Sequence, residues 1–368
     1  MIRHANRRAF DLAMKTAVLL SGGVDSSVAL RLVRDAGAGD ITAFYLKVWL
    51  EDELSFLGDC PWDEDIGFAR AVCESIGVPL EIVPMQREYH QRVVAYTIAE
   101  LRAGRTPSPD LFCNQRVKFG AFLDAIDAEF RSVVTGHYAI VEARDGVVRL
   151  RRGVDPVKDQ TYFLSCLDQG QLARCRFPLG GLAKREVRRL AEEFELPNRA
   201  RPDSQGICFL GKIRFRDFVR HHLGERPGAI RDLATGSVLG EHRGSWFYTI
   251  GQRRGLGLAQ GPWYVVRKDL DEGIVWVAHA DRLDECRREA FRIGTPHWIG
   301  TGPSGAPLGV KLRHGERVLA CRLEESAAGD ADRRATVRLA TPDPGIAAGQ
   351  FAVFYEGDEC IGAAPIEA

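Results

Sequence analysis

Residues 21–27 read S-G-G-V-D-S-S, set between the apolar run A-V-L-L at 17–20 and a segment with helical apolar spacing at Val28, Leu32 and Val33. A strand that passes into a helix through such a turn builds an anion site. Gly22 and Gly23 lack β-carbons, so backbone N–H groups close around a phosphate, while Ser26 and Ser27 fall where the helix presents its unpaired donors and positive dipole end. No Gly-Lys-Ser/Thr follows, which excludes a Walker A loop and any implied γ-phosphate transfer. Small residues in an ordinary strand-to-helix turn would look similar, but here strand, double glycine, aspartate and paired serine coincide.

Outward from this loop, residues 15 to about 149 alternate strand-like runs with helical patterns. The runs are A-V-L-L, I-T-A-F-Y-L-K-V-W, L-E-I-V-P-M and S-V-V-T-G-H-Y-A; the helical patterns follow Ser26 and cover 65–76 and 88–101. That alternation predicts an α/β domain, a parallel sheet with helices on both faces. Ligands of such sheets bind at the carboxyl ends of the strands, so Leu46 and Gly136 are expected to line the same nucleotide pocket as the loop. A second helical region, 169–194, is interrupted by P-L-G-G at 178–181. Beyond Phe209 short Gly- and Pro-punctuated runs predict a small mainly β central domain, and the alternating segments from Phe291 onward a closed or partly closed C-terminal β-barrel. The expected division is 1–14 N-terminal extension, 15–210 nucleotide-binding domain, 211–282 central domain and 283–368 barrel.

Composition narrows the function classes. At 368 residues the chain exceeds one ordinary core. Fifty Lys/Arg balance fifty Asp/Glu, so there is no global attraction to nucleic acid. Residues 174–226, however, carry thirteen Lys/Arg against seven Asp/Glu, which suits either a phosphate backbone or a solvated helix surface. Nine cysteines, an odd number with no C-x-x-C, do not make a secreted disulfide framework and argue against structural zinc and iron–sulfur ligation. No run of 18 apolar residues occurs, so no membrane span is expected. Arg3, Arg7 and Arg8 beside Asp11, with no apolar stretch, oppose a secretory signal; a disordered tail or short presequence and a cytoplasmic location are expected.

Two cysteines stand in chemically suggestive surroundings. Cys113 lies in T-P-S-P-D-L-F-C-N-Q-R-V-K-F at 106–119, where a helical pattern starts near Asn114. A thiol at a helix N-terminus beside Arg116 and Lys118 has reasons for a lowered pKa, although the same letters alone fit a buried inert cysteine equally. Cys208 lies in D-S-Q-G-I-C-F at 203–209, where Gly206 suggests a bend exposing the sulfur; a turn before a core strand reads the same way. Asp110 suits a general acid/base or the turn acid of Pro-Asp, and Asp25 suits positioning of a metal or of the loop, or capping of the helix. His137, in G-H-Y-A, reads as structural or nucleotide-side.

The S-G-G-V-D-S-S loop resembles the PP-loop of ATP pyrophosphatases, which cleave ATP between the α- and β-phosphates and place AMP on an oxygen they then replace. With P-S-P-D-L-F-C-N, G-H-Y-A, K-D-Q-T-Y-F-L at 158–164, D-S-Q-G-I-C-F and T-I-G-Q-R-R-G-L-G at 249–257 it forms six motifs in one order. From about residue 15 to 366 the chain resembles the tRNA-specific 2-thiouridylases, which replace oxygen by sulfur at C2 of the wobble uridine.

The resemblance implies ATP contacts at Leu19, Leu20, Ser21, Gly22, Gly23, Val24, Asp25, Ser26, Leu46 and Gly136, with magnesium (Mg2+) accompanying ATP. It implies that Cys208 receives sulfur as a persulfide and that Cys113 is the nucleophile that pairs with it in a disulfide as sulfur leaves. Ser108, Pro109 and Asp110 occupy the target-base segment; Lys158, Asp159 and Gln160 one tRNA-contact segment; Arg313 and His314 another. The implied partners are a tRNA anticodon stem-loop with a wobble uridine and a persulfide-carrying sulfur donor protein. Three departures stand out. Ser108 replaces the family's usual Asn, Gln205 its usual Thr, and K-L-R-H-G stands where K-I-R-Y-R is more frequent. A PP-loop ligase forming an amide or amidine on a small acceptor would need no cysteine pair. The intact loop and both cysteines argue against a non-catalytic tRNA-binding relative.

Overall fold

The computed structural model describes residues 15–48, 62–203, 214–325 and 335–367. Its first unit starts with β1 (Lys15–Leu19), α1 (Val24–Asp35), β2 (Ile41–Lys47), α2 (Trp62–Ile76) and β3 (Leu80–Pro84). A continuous helical run at 86–102, α3, and another at 109–125, α4, precede β4 (Phe130–Val134). With the later β7 (Cys175–Arg176), the strands pair in the order β3-β2-β1-β4-β7, every pair parallel. This is the predicted doubly covered sheet. On one face Val28, Leu30 and Val33 of α1 and Ile66, Ala69 and Val72 of α2 pack against Val18, Ala43 and Val134. The other face is covered by α3 and α4 through Val93, Val94, Val117 and Phe122. Burial of both faces explains why β1 and β2 read as nearly unbroken apolar runs.

Between β4 and β7 come β5 (Ala139–Arg144), β6 (Val147–Arg152), the one-turn α5 (Thr161–Leu164) and α6 (Gln169–Arg174). Asp168 caps α6 by accepting the Gln171 N–H at 2.7 Å, and the Gln171 side chain accepts the Asp168 N–H at 3.1 Å. The helix α7 (Lys184–Glu193) buries Val187, Leu190 and Ala191 against α1. Next comes α8 (Phe215–Leu223), followed by β8 (Gly228–Asp232), β9 (Val238–His242), β10 (Trp263–Asp269) and β11 (Ile274–His279). These four strands form a small sheet, ordered β10-β11-β8-β9, over Ile230, Val265, Val275 and Val277.

The C-terminal unit contains β12 (Arg288–Ile293), β13 (His297–Trp298), β14 (Leu308–Lys311), β15 (Leu319–Glu325), β16 (Ala335–Asp343), β17 (Phe351–Glu356) and β18 (Glu359–Pro365). Antiparallel pairing runs β12-β16-β15-β14-β17-β18, and a bridge between Ile293 and Ile366 brings the last strand back to the first. That closure makes the expected barrel, its interior filled by Phe291, Val310, Val337 and Phe354.

One connection crosses the domain division expected from the sequence. The β5–β6 hairpin, which follows the parallel sheet in the chain, pairs through Leu150 and Arg151 with Cys360 and Glu359 of β18 and so continues the barrel's sheet. Leu150 is fully buried in a core that also contains Phe351, Val353 and Tyr355 of the barrel and Leu111 and Val117 of α4. Leu150→Ala should therefore destabilise both ends of the chain together, by about 2–5 kcal/mol. Urea unfolding followed by fluorescence should show a shifted midpoint; a separate early transition of one unit would contradict the shared core.

Candidate nucleotide and thiol site

The turn from β1 to α1 has its carbonyls fastened by side chains. Gly22 adopts φ +74°, and a β-carbon there would lie 2.4 Å from the Asp65 carbonyl oxygen, so only glycine is accommodated without backbone movement. The Gly22 carbonyl accepts from Asn198 Nδ2 at 2.7 Å and Arg201 Nη1 at 3.1 Å. The Gly23 carbonyl accepts the Ser26 and Ser27 hydroxyls, each at 3.0 Å. Ser26 Oγ also receives the Ser21 N–H at 3.2 Å. Four polar side chains thus hold the turn open at the N-terminus of α1, where amide donors and the helix dipole favour an anion.

The adjoining cavity has a volume of about 280 Å³. Leu19, Leu20, Ser21, Asp25 and Ser26 form its loop side, Leu46 and Gly136 reach it from neighbouring strand ends, and Cys113 lies in its wall. Phe44, Tyr45 and Val48 supply apolar surface at one side, with Lys118, Thr135, His137 and Gln160 at another. An apolar recess beside an amide-rich turn suits a base joined to phosphates. Gly22, Gly23 and Val24 belong to the turn but not to the cavity lining. A β-carbon on Gly136 would come within 2.8 Å of the Ser26 amide nitrogen, because β4 ends directly against the start of α1.

Cys113 is 4% exposed and opens to the cavity. The helix carrying it starts at Pro109, not near Asn114, because Pro109 at the first helical position is preorganised for the turn. Cys113 therefore sits in the second turn with its N–H bonded to the Pro109 and Asp110 carbonyls, away from the strongest part of the dipole. Arg116 lies over the Phe112 ring at 3.7 Å and donates to the Arg92 carbonyl at 3.3 Å. Lys118 reaches the cavity. Cys208 lies outside the described residues, as does Gln205.

Acid–base environment follows from partners. Asp25 Oδ1 accepts the Tyr138 hydroxyl at 2.9 Å and Lys184 Nζ at 2.7 Å. Lys184 also pairs with Asp203 at 2.8 Å, where Lys158 reaches the other carboxylate oxygen at 2.8 Å and Arg188 completes the cluster. Burial opposes the charge on Asp203, but hydrogen bonds from Lys158 and Lys184 outweigh it and hold the carboxyl well below its usual range. His137 is kept neutral by burial and then by the Lys118 charge, and its Nδ1 lies 2.6 Å from the Thr135 hydroxyl.

The segments assigned to RNA are placed unequally. Ser108 and Pro109 are buried; Ser108 Oγ receives Gln350 Nε2 at 3.3 Å, and the Thr106 N–H bonds the Ala348 carbonyl at 2.8 Å, so this segment leans on a barrel loop. Asp110 is half-buried in the first turn of α4. Lys158 is half-buried, Asp159 is 1% exposed, and Gln160 faces the cavity. Arg313 has a side chain 54% exposed and pairs with Asp343 at 3.2 Å, while His314 stacks on Phe163 at 4.6 Å. Sequence reasoning missed Lys184, Asn198, Arg201 and Asp65 as supports of the loop. The polar run P-N-R-A-R-P at 197–202 was the available signal, but nothing in its spacing shows that it folds back on Gly22.

Fold and site together define an ATP-pyrophosphatase-like α/β protein with a thiol in the nucleotide cavity. The chain matches the tRNA methyl transferase HUP domain over residues 14–212, the tRNA methyl transferase PRC-barrel domain over 216–279 and the aminomethyltransferase beta-barrel domain over 288–366. It is 42% identical over 360 residues to tRNA-specific 2-thiouridylase MnmA 1 of Bacteroides thetaiotaomicron, covering 96% of this chain and 99% of the relative. It is 41% identical over 360 residues, with the same coverage, to tRNA-specific 2-thiouridylase MnmA of Parabacteroides distasonis. The chain belongs to the tRNA-specific 2-thiouridylase family.

Gly136→Ala should weaken ATP binding at least about 10-fold, by pushing the start of α1 out of register, with circular dichroism unchanged. Equilibrium binding of a labelled ATP analogue reads this directly. Because the folded-state pKa of His137 lies below its ordinary 6.5, the unfolded chain binds the extra proton, and stability falls as pH drops through that value. Urea midpoints at pH about 7.5 and 5.5 should therefore differ, and His137→Gln should remove part of the difference.

Proposed function

We propose that the cavity binds ATP against the S-G-G-V-D-S-S turn and that Cys113, in its wall, completes sulfur transfer to the base activated there. The activity is ATP-dependent thiolation of tRNA uridine. The observation that carries the reading is the placement of the turn, Leu46, Gly136 and the Cys113 thiol around one cavity.

A uracil C2 carbonyl is a poor electrophile, and its oxygen a poor leaving group. Attack of that oxygen on the α-phosphate of ATP expels pyrophosphate and leaves C2 bearing an AMP ester. The amide donors at the start of α1 hold the pyrophosphate as it departs. Asp25 and Asp65 line the cavity and would hold a magnesium ion, which when bound would neutralise charge on the leaving pyrophosphate. Lys184 and Tyr138 fix the Asp25 carboxylate.

Sulfur reaches Cys208 as a persulfide from a donor protein. Its terminal sulfur attacks C2, and AMP leaves. The Cys113 thiolate then attacks Cys208 Sγ, breaking the S–S bond so that sulfur stays on C2 and a Cys113–Cys208 disulfide forms; a thiol reductant supplies two electrons to reopen it. In the other order, Cys113 attacks first and the released hydrosulfide displaces AMP. Asp110, three residues before Cys113, is assigned the handling of a proton on uracil or thiol.

Ser108 and Pro109, both buried, and half-buried Asp110 are the segment assigned to the target base. RNA contact is assigned to Lys158, Arg313 and His314, with buried Asp159 supporting them and Gln160 lining the cavity proposed for the nucleotide. The basic stretch 174–226 and the barrel grip the anticodon stem-loop, whose wobble base has to be splayed from its stack. Domain limits of 15–210, 211–282 and 283–368 serve this division of labour. Among the described residues no helix is long and apolar enough to cross a membrane; the cytoplasm is the proposed location.

The test is mass spectrometry of tRNA nucleosides after incubation with ATP, magnesium and a persulfide donor. Wild-type protein should yield 2-thiouridine with AMP and pyrophosphate. Cys113→Ser and Cys208→Ser should each lower the rate at least about 100-fold. Full activity in both variants would end the persulfide relay.

A further inference from the structure

A buried charge cluster between the nucleotide domain and the barrel supplies no reacting group above, although Asp159 and His314 belong to the proposed RNA contact. Lys311, the last residue of β14, is fully buried; its ammonium lies 2.7 Å from Asp159 Oδ2 and 5.3 Å from the centre of the Tyr355 ring. Arg152 Nε donates to the same oxygen at 3.1 Å. Asp159 Oδ1 accepts the Thr161 hydroxyl at 2.8 Å and its N–H at 3.2 Å, and His314 Nε2 lies 3.1 Å from the Asp159 carbonyl oxygen. A fully enclosed ion pair is a poor source of stability, because desolvation of both charges cancels much of their attraction and apolar residues of similar volume often do as well. What such a pair does impose is direction.

The direction leads to the nucleotide. Gln160, the next residue, donates its N–H to the Tyr138 carbonyl at 3.0 Å and accepts the Tyr138 N–H on Oε1 at 3.0 Å. Gln160 itself lines the cavity beside Gly136 and His137. Tyr138 continues the path, its hydroxyl bonded to Asp25 in the phosphate turn at 2.9 Å. From the barrel to the loop the path runs through the Lys311–Asp159 ion pair, the backbone from Asp159 to Gln160, the paired hydrogen bonds of Gln160 with the Tyr138 backbone, and the Tyr138 hydroxyl on Asp25.

We propose that Lys311, a barrel residue remote from the reacting atoms, is a positioning residue for the nucleotide: it clamps Asp159, which sets Gln160 and, through Tyr138, the wall at Gly136 and the carboxylate of Asp25. This role rests on the reading that the cavity takes ATP. It makes the barrel part of the nucleotide site as well as of the RNA grip. Lys311→Met keeps the length of the stem and removes the charge.

The experiment is calorimetric titration of the full chain with α,β-methylene-ATP and magnesium, without tRNA, for wild type, Lys311→Met, Gln160→Leu and their combination. Each single variant should bind about 10-fold more weakly, and the combination no more weakly than the worse single, because both act on one chain of contacts. In thiolation assays Lys311→Met should raise KM for ATP while kcat at saturating ATP stays within about 2-fold of wild type; a loss of folded protein would lower kcat and leave KM alone. Wild-type affinity in folded Lys311→Met, additive effects in the combination, or a fall in kcat alone would overturn the proposal. If Lys311→Met does not fold, Lys311→Met with Asp159→Asn leaves no unpaired buried carboxylate and carries the same expectation, with wild-type affinity again overturning it. Nucleotide binding without tRNA thiolation in the wild type would sink the RNA reading and leave this comparison standing. No nucleotide binding in the wild type would sink both.

Discussion

An amide can bind phosphate only if the carbonyl next to it has been turned away and given another partner. That constraint organises the nucleotide site. Gly22 and Gly23 give their carbonyls to Asn198, Arg201, Ser26 and Ser27, so those oxygens already have partners within the protein. The two serines of the motif therefore act first on the backbone of the loop. Asn198 and Arg201 arrive from more than 170 residues away in sequence, so the turn is complete only when the end of the nucleotide domain has packed against α1.

The same dependence recurs at the thiol. Cys113 faces the cavity because α4 crosses the sheet with Val117 and Phe122 in the core, and the segment before it is braced by Gln350 and the Ala348 carbonyl. The β5–β6 hairpin and the Asp159–Lys311 pair join the barrel to this region at two further places. The 106–110 segment is thus held by contacts from both ends of the chain. Rigid mutual placement of these parts is what the proposed reaction would require.

Much of the architecture was legible because it is periodic. Apolar runs alternating with helical spacing predicted the parallel sheet, and the two-residue alternation beyond Phe291 predicted the barrel. The start of α4 lies at Pro109, five residues before the expected Asn114, because proline is well suited to the first helical position. The hairpin's membership in the barrel sheet was illegible, since strand pairing between residues 150 and 360 leaves no local trace. Gln160 was read with Lys158 and Asp159 as one RNA-facing strip; three consecutive residues in fact point to three environments.

The order of motifs along the chain was enough to establish family, sheet type and chemistry class, because glycine, proline and cysteine act through local backbone geometry and intrinsic reactivity that any copy of the motif carries. Which side chains hold the glycine turn, which residue of the K-D-Q segment faces the cavity and which meets the barrel, and that a lysine in β14 is buried against an aspartate 152 positions earlier, were settled by packing alone. Those choices depend on burial and on distances between residues far apart in sequence, and no local pattern encodes either.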